Sequence, residues 1–338
     1  MIARRAGRWL TPLLALFAVL YLVLAREGPG VVAFGEWVVS WFGGAAIDPI
    51  DRFLFMNVRL PRLLVAAFGG ASLALAGAVM QATFRNPLAS PDLVGTAAGA
   101  ALGGALAIVA NMTELGVVAA PVASLVGALG TTALVFVLAR SHGRFAVATL
   151  LLAGIALNTL VGAITSFVVT LSFENYTASS RVLFWLMGGL EARNWEHAAI
   201  TAVGFALFAA MLVPRRRELD LLTLHDDTAH SLGVDAPRVR RWLVLCACGL
   251  TATTVSNTGG IAFVGLVVPH LARLLVGPSH RVLLPVSALL GALLLVASDL
   301  ACSLAPPQMS LRLGVVTAFL GAPYFLFLLA RCRRGEAL

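Results

Sequence analysis

The sequence contains no lysine and has few charged residues of any kind. All 24 Lys or Arg positions are arginine, charged residues make up 12% of the 338 positions, and 59% are hydrophobic. Soluble domains carry about 25% charged residues, so this chain has too little polar surface to cover a water-soluble globule. The composition excludes intrinsic disorder and a nucleic-acid-binding domain, and it indicates an integral membrane protein.

The absence of lysine also restricts the chemistry. A Walker A loop needs its phosphate-binding lysine, so the chain carries no ordinary P-loop ATPase. Schiff-base catalysis on a lysine is excluded as well. If ATP drives transport by this chain, the ATPase is therefore a separate partner.

Other catalytic and metal-binding signals are also missing. Four cysteines are present, and the C-x-C pair among them lies in an apolar run without a second pair at zinc spacing. No nucleophile elbow or zinc-protease motif occurs. We therefore expect no catalytic residue, no metal site and no cofactor. The cysteines are interpreted as small residues buried in the membrane: Cys246, Cys248, Cys302 and Cys332.

Ten long apolar segments are candidates for membrane-spanning helices, which need about 20 residues each. They cover residues 10–25, 61–81, 93–111, 116–140, 147–171, 196–213, 242–258, 261–276, 282–302 and 314–331. Breaks are expected at Pro269 and from Asn86 to Pro91. Because the apolar runs are long rather than alternating, the prediction is an all-α polytopic membrane protein. It forms a single transmembrane domain over residues 1–338.

The arginines indicate the orientation of these spans. Ten spans place both termini on one side, and with the termini inside, 17 arginines lie in the cytoplasm and 7 outside. The positive-inside rule therefore predicts cytoplasmic termini. The seven outer arginines are Arg26, Arg52, Arg59, Arg62, Arg181, Arg193 and Arg312.

In this orientation residues 214–241 form the longest cytoplasmic loop. Its segment 219–234 is typical of two short helices, since Asp226 and Asp227 favour a helix start and Gly233 favours a stop. The segment has too many leucines for a solvated loop. It either docks into a groove on a partner or packs against its own membrane domain.

The outer side carries further candidates. Arg59 and Arg62 are interpreted either as snorkelling residues at a helix start or as a dock for an acidic partner. Among the carboxylates, Asp92 starts the third span and Asp299 lies near the outer end of the ninth. Asp299 either caps a helix or pairs with an arginine, or it contacts substrate. The aromatic segment 172–196 forms an interface belt or stacks on a macrocycle.

Seven motifs in order carry a family resemblance. They are R-L-P-R at 59–62, G-A-V-M-Q-A-T-F-R-N-P-L-A-S-P-D-L-V-G at 77–95, L-L-L-A-G-I-A-L-N at 150–158, the loop at 219–234, G-G-I-A-F-V-G-L-V-V-P-H at 259–270, H-R-V-L-L-P at 280–285 and G-V-V-T-A-F-L-G-A-P-Y-F at 314–325. From about residue 55 to 331 the chain resembles the permeases of FecCD-type ABC importers. These importers depend on binding proteins and carry iron-siderophore complexes, haem or cobalamin.

The resemblance implies partners and site residues. It implies a homodimer, or a pair of related permeases, with the translocation path at the interface. Two copies of a cytoplasmic ATP-binding subunit would bind the loop, and a periplasmic substrate-binding protein would dock on Arg59 and Arg62. The cytoplasmic gate would fall at Val147 and Ala148. The coupling residues would be Leu221, Leu222, Leu224, Asp226, Asp227, Leu232 and Gly233.

The sequence departs from the family pattern at two positions. A family arginine a few residues after the Asp299 position is replaced by Ser303. Arg312 is an outward arginine that the pattern lacks, and whether it replaces the missing one is left open.

The expected function is therefore that of a permease subunit, not an enzyme, in a bacterial inner membrane. The cargo is an iron chelate, with a ferric siderophore ranked first and haem or cobalamin as alternatives. A competing function is ion-coupled secondary transport, which an acid relay would favour. No span carries two carboxylates at helical spacing, and this weighs against that function.

Overall fold

The protein is described by a computed structural model that covers residues 2–24, 48–141, 144–145, 147–174, 176–224, 226–306 and 309–333. Its α-helices, in chain order, are α1 (Ile2–Leu24), α2 (Pro49–Leu54), α3 (Leu60–Phe84), α4 (Thr96–Val109), α5 (Ala119–Leu138), α6 (Val147–Leu171), α7 (Tyr176–Leu186), α8 (Trp195–Leu212), α9 (Arg216–Leu222), α10 (Asp226–Ser231), α11 (Ala236–Thr258), α12 (Val264–Val276), α13 (His280–Leu304) and α14 (Leu313–Arg333).

Shorter elements connect these helices. A π-helical turn at Phe55–Arg59 joins α2 to α3, and short 3-10 helices lie at Pro91–Val94, Met112–Leu115, Ser172–Glu174 and Val213–Arg215. Two strands of two residues each, β1 (Arg140–Ser141) and β2 (Arg144–Phe145), pair antiparallel ahead of α6.

Every predicted span corresponds to a helix, so the all-α prediction is confirmed. Within the described residues, five continuous helical stretches are long and apolar enough to cross a membrane, and four shorter helices are apolar. The remaining span, α11, has arginines in its first turns and hydroxyl side chains in its second half. Those hydroxyls donate to carbonyls of their own helix, as Thr251 does to Ala247 and Thr254 to Leu250. A polar helix can therefore pack inside the bundle.

The helix α3 is the centre of the bundle. It contacts α13, α11, α12 and α8, and nearly all of its side chains are buried. Two of its glycines allow backbones to touch. A β-carbon on Gly70 would lie 2.1 Å from the carbonyl oxygen of Gly291 in α13, and one on Gly77 would lie 1.7 Å from that of Gly265 in α12. Close backbone contact of this kind is how helices associate where the surroundings are already apolar.

Regular helix is interrupted at two places in the bundle. One of them was predicted from the sequence and the other was not. After α3, Arg85 adopts a left-handed conformation, and the stretch to Gly95 contains only turns and a 3-10 helix, as predicted for Asn86 to Pro91. The predicted break at Pro269 is wrong, because α12 continues through it. The second break instead precedes α12, where Gly259 and Phe263 have φ angles of 69° and 67°.

The contact with α3 explains why α12 tolerates Pro269. Proline has no N–H, so the carbonyl of Gly265, four residues earlier, loses its helical donor. That carbonyl is the one that lies against Gly77. One residue further on, the side chain of Gln81 donates to the carbonyl of Leu266 at 2.9 Å. Packing on α3 therefore supports the segment that the proline weakens.

This packing predicts a large difference between two glycine substitutions. Gly77→Ala should destabilise the fold by about 1–3 kcal/mol, because the added methyl group overlaps backbone that cannot move cheaply. Gly130→Ala in α5 is the matched control, since nothing lies within 4 Å of its β-carbon position. Thermal unfolding of the purified chain in detergent measures both. Equal melting temperatures for the two variants would contradict the assigned contact.

Candidate functional site

A buried ion pair closes one end of the bundle. The guanidinium of Arg62 donates to both carboxylate oxygens of Asp299, at 2.8 and 2.9 Å, and the hydroxyl of Tyr21 donates to the same carboxylate at 2.7 Å. The side chains of Arg62 and Asp299 are 7% and 1% exposed. The predicted pairing of Asp299 with an arginine is confirmed, and the cluster joins α1, α3 and α13.

Arg59 lies next to this cluster and is also buried. Its residue is 2% exposed, and its guanidinium donates to the carbonyl oxygen of Leu22 near the end of α1. The burial of Arg59 and Arg62 differs from both sequence expectations, because snorkelling and docking each place the charged group at a surface. Docking at these two residues stays a prediction, and it would require the cluster to open.

Arg312 is arranged differently. Its guanidinium pairs with Glu191, whose side chain is about half exposed, and it stacks over the ring of Phe184 at 3.9 Å from the centroid. The side chain of Arg312 itself is 12% exposed, so Glu191, in the loop that precedes α8, is the accessible member of the pair. Ser303, at the position of the missing family arginine, donates to the carbonyl of Leu300 within its own helix.

The aromatic residues of segment 172–196 do not share one environment. Trp185 is buried and packs against Gly104, so it belongs to the core rather than to an interface belt. Arg193 lies over its ring at 5.6 Å from the centroid. Burial lowers the pKa of Arg193 to about 10, which leaves it protonated at neutral pH. Trp195, in contrast, is 45% exposed.

The loop segment 219–234 forms two short helices, α9 and α10, as predicted, and has two kinds of leucine. Leu219 and Leu222 are fully buried in the core of their own chain, whereas Leu224 and Leu232 are 43% and 57% exposed. Packing on the membrane domain is therefore confirmed for Leu219 and Leu222, while docking of the exposed face on a partner stays a prediction. Leu222, predicted as a partner contact, belongs to the packed face.

Polar contacts fix this segment to the bundle. The carboxylate of Asp220 accepts from the backbone N–H of His280 at 2.9 Å and lies 2.6 Å from the Nδ1 of its ring. The guanidinium of Arg85, at the end of α3, donates to the carbonyl of Leu222 at 2.8 Å. A displacement of α9 would therefore act directly on the first turn of α13 and on the last of α3.

The remaining predicted residues lie as follows. Leu221 is half-buried, and Gly233 ends the segment with a φ of 82°. Asp226 begins α10, followed by Asp227, and Val147 begins α6, followed by Ala148. The side chains of these last four residues lie outside the described part of the structure.

The two breaks of the chain meet inside the bundle. A cavity of about 190 Å³ is lined by both, with Asp92 from the first break and Ala262 and Phe263 from the second. A wider recess of about 510 Å³ adjoins it, shares Asp92 and Ala262, and is bounded by the first turns of α14. Irregular backbone in a membrane protein is tolerated where it lines a cavity or is covered by protein. The two breaks therefore line one interior space of the bundle.

Sequence reasoning missed two members of these sites. Tyr21 gave a faint signal, as one of only three tyrosines and the one within the first span. The contact of Asp220 with His280 joins residues 60 positions apart, and nothing in the local pattern predicts it. Among the described residues, no group of three or more His, Cys, Asp or Glu is placed to hold a metal ion.

A bundle of apolar helices whose breaks line an interior cavity is typical of a polytopic membrane protein. The chain belongs to the FecCD transport family, whose sequence profile matches residues 10–331. This is a family of ABC importer permeases, which are transport components rather than enzymes, and ATPase and binding-protein partners are implied.

Known proteins resemble the chain over most of its length. It is 43% identical to the cobalamin import system permease protein BtuC of Halobacterium salinarum, over 83% of this chain and 74% of that one. It is 41% identical to the Fe(3+) dicitrate transport system permease protein FecD of Escherichia coli K12, over 93% and 98%. A metal-chelate type ABC transporter solved in an inward-facing conformation superposes with a TM-score of 0.82 at 34% identity, covering 95% of this chain and 97% of that one.

Breaking the buried ion pair should destabilise the fold much more than breaking a partly exposed one. Asp299→Ala should destabilise the chain by about 3–5 kcal/mol, because it leaves the guanidinium of Arg62 buried without its carboxylate. Glu218→Ala, which removes the partly exposed pair with Arg215, is the control and should cost about 0–1 kcal/mol. Equilibrium unfolding in mixed micelles gives both values. A similar loss for the two variants would contradict the structural role of the cluster.

Proposed function

We propose that this chain is the permease subunit of an ABC importer that moves an iron chelate, with a ferric siderophore ranked first, from the periplasm to the cytoplasm. Haem and cobalamin are the alternative cargoes. The observation that carries the proposal is the anchored cytoplasmic segment with exposed leucines, in a chain of the FecCD family. The family alone does not choose the cargo, since a cobalamin permease and an iron-dicitrate permease are 43% and 41% identical to this chain.

Energy would come from a separate ATP-binding subunit, present in two copies. The exposed side chains of Leu224 and Leu232 are suited to an apolar groove on that subunit. Movement of α9 would reach the membrane helices through Asp220 and Arg85. Ion-coupled transport is the weaker alternative, because a proton relay needs more than one free carboxylate within the membrane, and of Asp92 and Asp299 the latter is paired with Arg62.

The outer surface would receive a periplasmic substrate-binding protein. We place this contact at Arg312, whose ion-pair partner Glu191 is about half exposed, and assign Arg312 the role of the missing family arginine. Arg59 and Arg62 would join the contact only if the buried cluster opened. In this proposal both termini lie in the cytoplasm and the membrane is a bacterial inner membrane.

A second permease subunit would complete the translocation path. We propose a second copy of this chain in this place, with a related permease as the alternative. Large apolar side chains remain exposed on α5 and α6, including Val126 at 65% and Leu152 at 68%. Lipid and the second subunit together would cover these faces. Val147 and Ala148, at the start of α6, would form the cytoplasmic gate.

The coupling role predicts a site-specific loss of ATPase binding. Leu224→Asp should weaken the complex by about 2 kcal/mol, or about 30-fold in affinity, because a charge would enter an apolar contact. Leu115→Asp, at a leucine 81% exposed at the end of the 3-10 helix Met112–Leu115 on the opposite side, should have no effect. Co-purification of the ATP-binding subunit with each variant measures this. Equal recovery of the ATPase with the two variants would count against the coupling role.

The docking role predicts that binding of the periplasmic protein depends on the position of the positive charge at Arg312 more than on an intact ion pair with Glu191. Arg312→Glu should reduce binding of the periplasmic protein about tenfold or more, since it reverses the sign of a docking charge. The exchange Arg312→Glu with Glu191→Arg keeps an ion pair but moves the cation, and it should not restore binding. Flotation of the binding protein with permease-containing nanodiscs is the measurement. Full binding by the exchanged pair would show that Arg312 serves only its partner Glu191.

A further inference from the structure

Asp92 lies at the middle depth of the bundle. It lines the inner cavity together with Leu73, which is the fourteenth of the 25 residues of α3. The helix α4, which begins four residues after Asp92, has only 14 residues, or about 21 Å, against a hydrocarbon core of about 30 Å. The helix therefore starts inside the membrane, and the break that holds Asp92 enters the membrane with it.

Asp92 is nevertheless accessible to solvent, in a recess that the bundle surrounds. An exposed carboxylate at middle depth is unfavourable against lipid by about 2.5–3.5 kcal/mol or more. Such residues in membrane proteins face a water-filled cavity or a partner. Asp92 therefore faces the recess that it lines, and this recess is open to water.

The recess contains a single formal charge. Among the described residues that line it, Asp92 is the charged one, and the others are apolar or glycine: Ala97, Leu186, Met187, Gly260, Ile261, Ala262, Gly314, Val315, Ala318 and Phe319. A carboxylate with apolar walls produces a stronger local potential than one surrounded by water. The recess therefore favours positive charge and hydrogen-bond donors.

The backbone of Asp92 is held in place from two sides. Its carbonyl oxygen accepts from the side-chain amide of Asn158 in α6 at 2.7 Å and from the backbone N–H of Gly95 at 3.1 Å. Gly95 has a φ of 85°, which closes this turn. The backbone that carries the carboxylate is thus fixed by the fold.

We propose that Asp92 is a cargo-selecting residue of the transport route. It accepts hydrogen bonds from, or attracts, a metal chelate that carries N–H or O–H donors or positive charge, and it disfavours polyanionic chelates. The proposal rests on the proposed function, because only a permease passes a chelate through this recess. It narrows the cargo to a neutral or cationic chelate.

The potential of the recess can be measured without any cargo. The variant Ala97→Cys is made in a chain with Cys302→Ser and Cys332→Ser. The potential is read from the rates at which its new thiol reacts with a cationic and an anionic thiosulfonate of similar size. With Asp92 present, the cationic reagent should react faster, and Asp92→Asn should lower the ratio of the two rates about tenfold. The parent without Ala97→Cys gives the background rate. An unchanged ratio in Asp92→Asn would overturn the proposal.

Uptake by cells that contain the whole importer tests the cargo class. The probes are a radiolabelled ferric trihydroxamate with a free ammonium group and ferric dicitrate. Asp92→Asn should shift the uptake ratio of the two probes about tenfold toward the anion. If Asp92→Asn loses the preference for the cationic thiosulfonate but keeps the wild-type uptake ratio of the two chelates, the proposed cargo selection is overturned. If the wild-type importer takes up no chelate, the proposed function fails instead, and the thiosulfonate ratio still decides whether Asp92 sets the potential.

Discussion

The contact of bare helix backbones along α3 is the interaction on which the rest of the structure depends. Gly70 meets Gly291 of α13, and Gly77 meets Gly265 of α12, at distances that leave no room for a β-carbon. In an apolar environment these close contacts supply dispersion energy that a hydrophobic effect cannot. They also hold α12 beside α3 despite Pro269, and so place the break before α12 at the middle of the bundle.

The few charged side chains that the structure pairs lie mainly at the two ends of the bundle. One end of the bundle is held by Arg62, Asp299 and Tyr21, and the other by Arg85 and by Asp220 with His280. Between these ends, the interior cavities carry the carboxylate of Asp92. The absence of lysine is consistent with this division, because a permease of an ABC importer has no nucleotide site of its own. Its arginines stabilise ends and contacts rather than bind phosphate.

The sequence predicts the helices well because their signal is local. Ten apolar runs became ten helices, and Asp226 and Gly233 correctly mark the start of α10 and the end of the segment. The prediction at Pro269 failed for a tertiary reason, since proline lowers helix stability locally but α3 supports the carbonyl that proline leaves unpaired. The second break is marked in the sequence by Gly259 and Gly260, a signal that a single proline obscured.

The candidate site was less predictable, because burial depends on residues far apart in the chain. Arg59 and Arg62 have the same sequence signal as exposed docking arginines, and only the approach of α1 and α13 buries them. The separation of Leu222 from Leu224 depends in the same way on how α9 packs. Asp92 was noticed as a carboxylate beside a span, but its role follows from depth and exposure, which no local pattern contains.

The source of energy is the most direct test of the whole account. The permease is reconstituted in liposomes with its ATP-binding subunit, and its binding protein, loaded with radiolabelled chelate, is supplied at the outer face. As the permease of an ABC importer, the chain should support uptake that requires ATP hydrolysis and the binding protein together and that is unaffected when proton and sodium gradients are abolished. Uptake driven by an ion gradient through the permease alone, with no ATPase present, would contradict it.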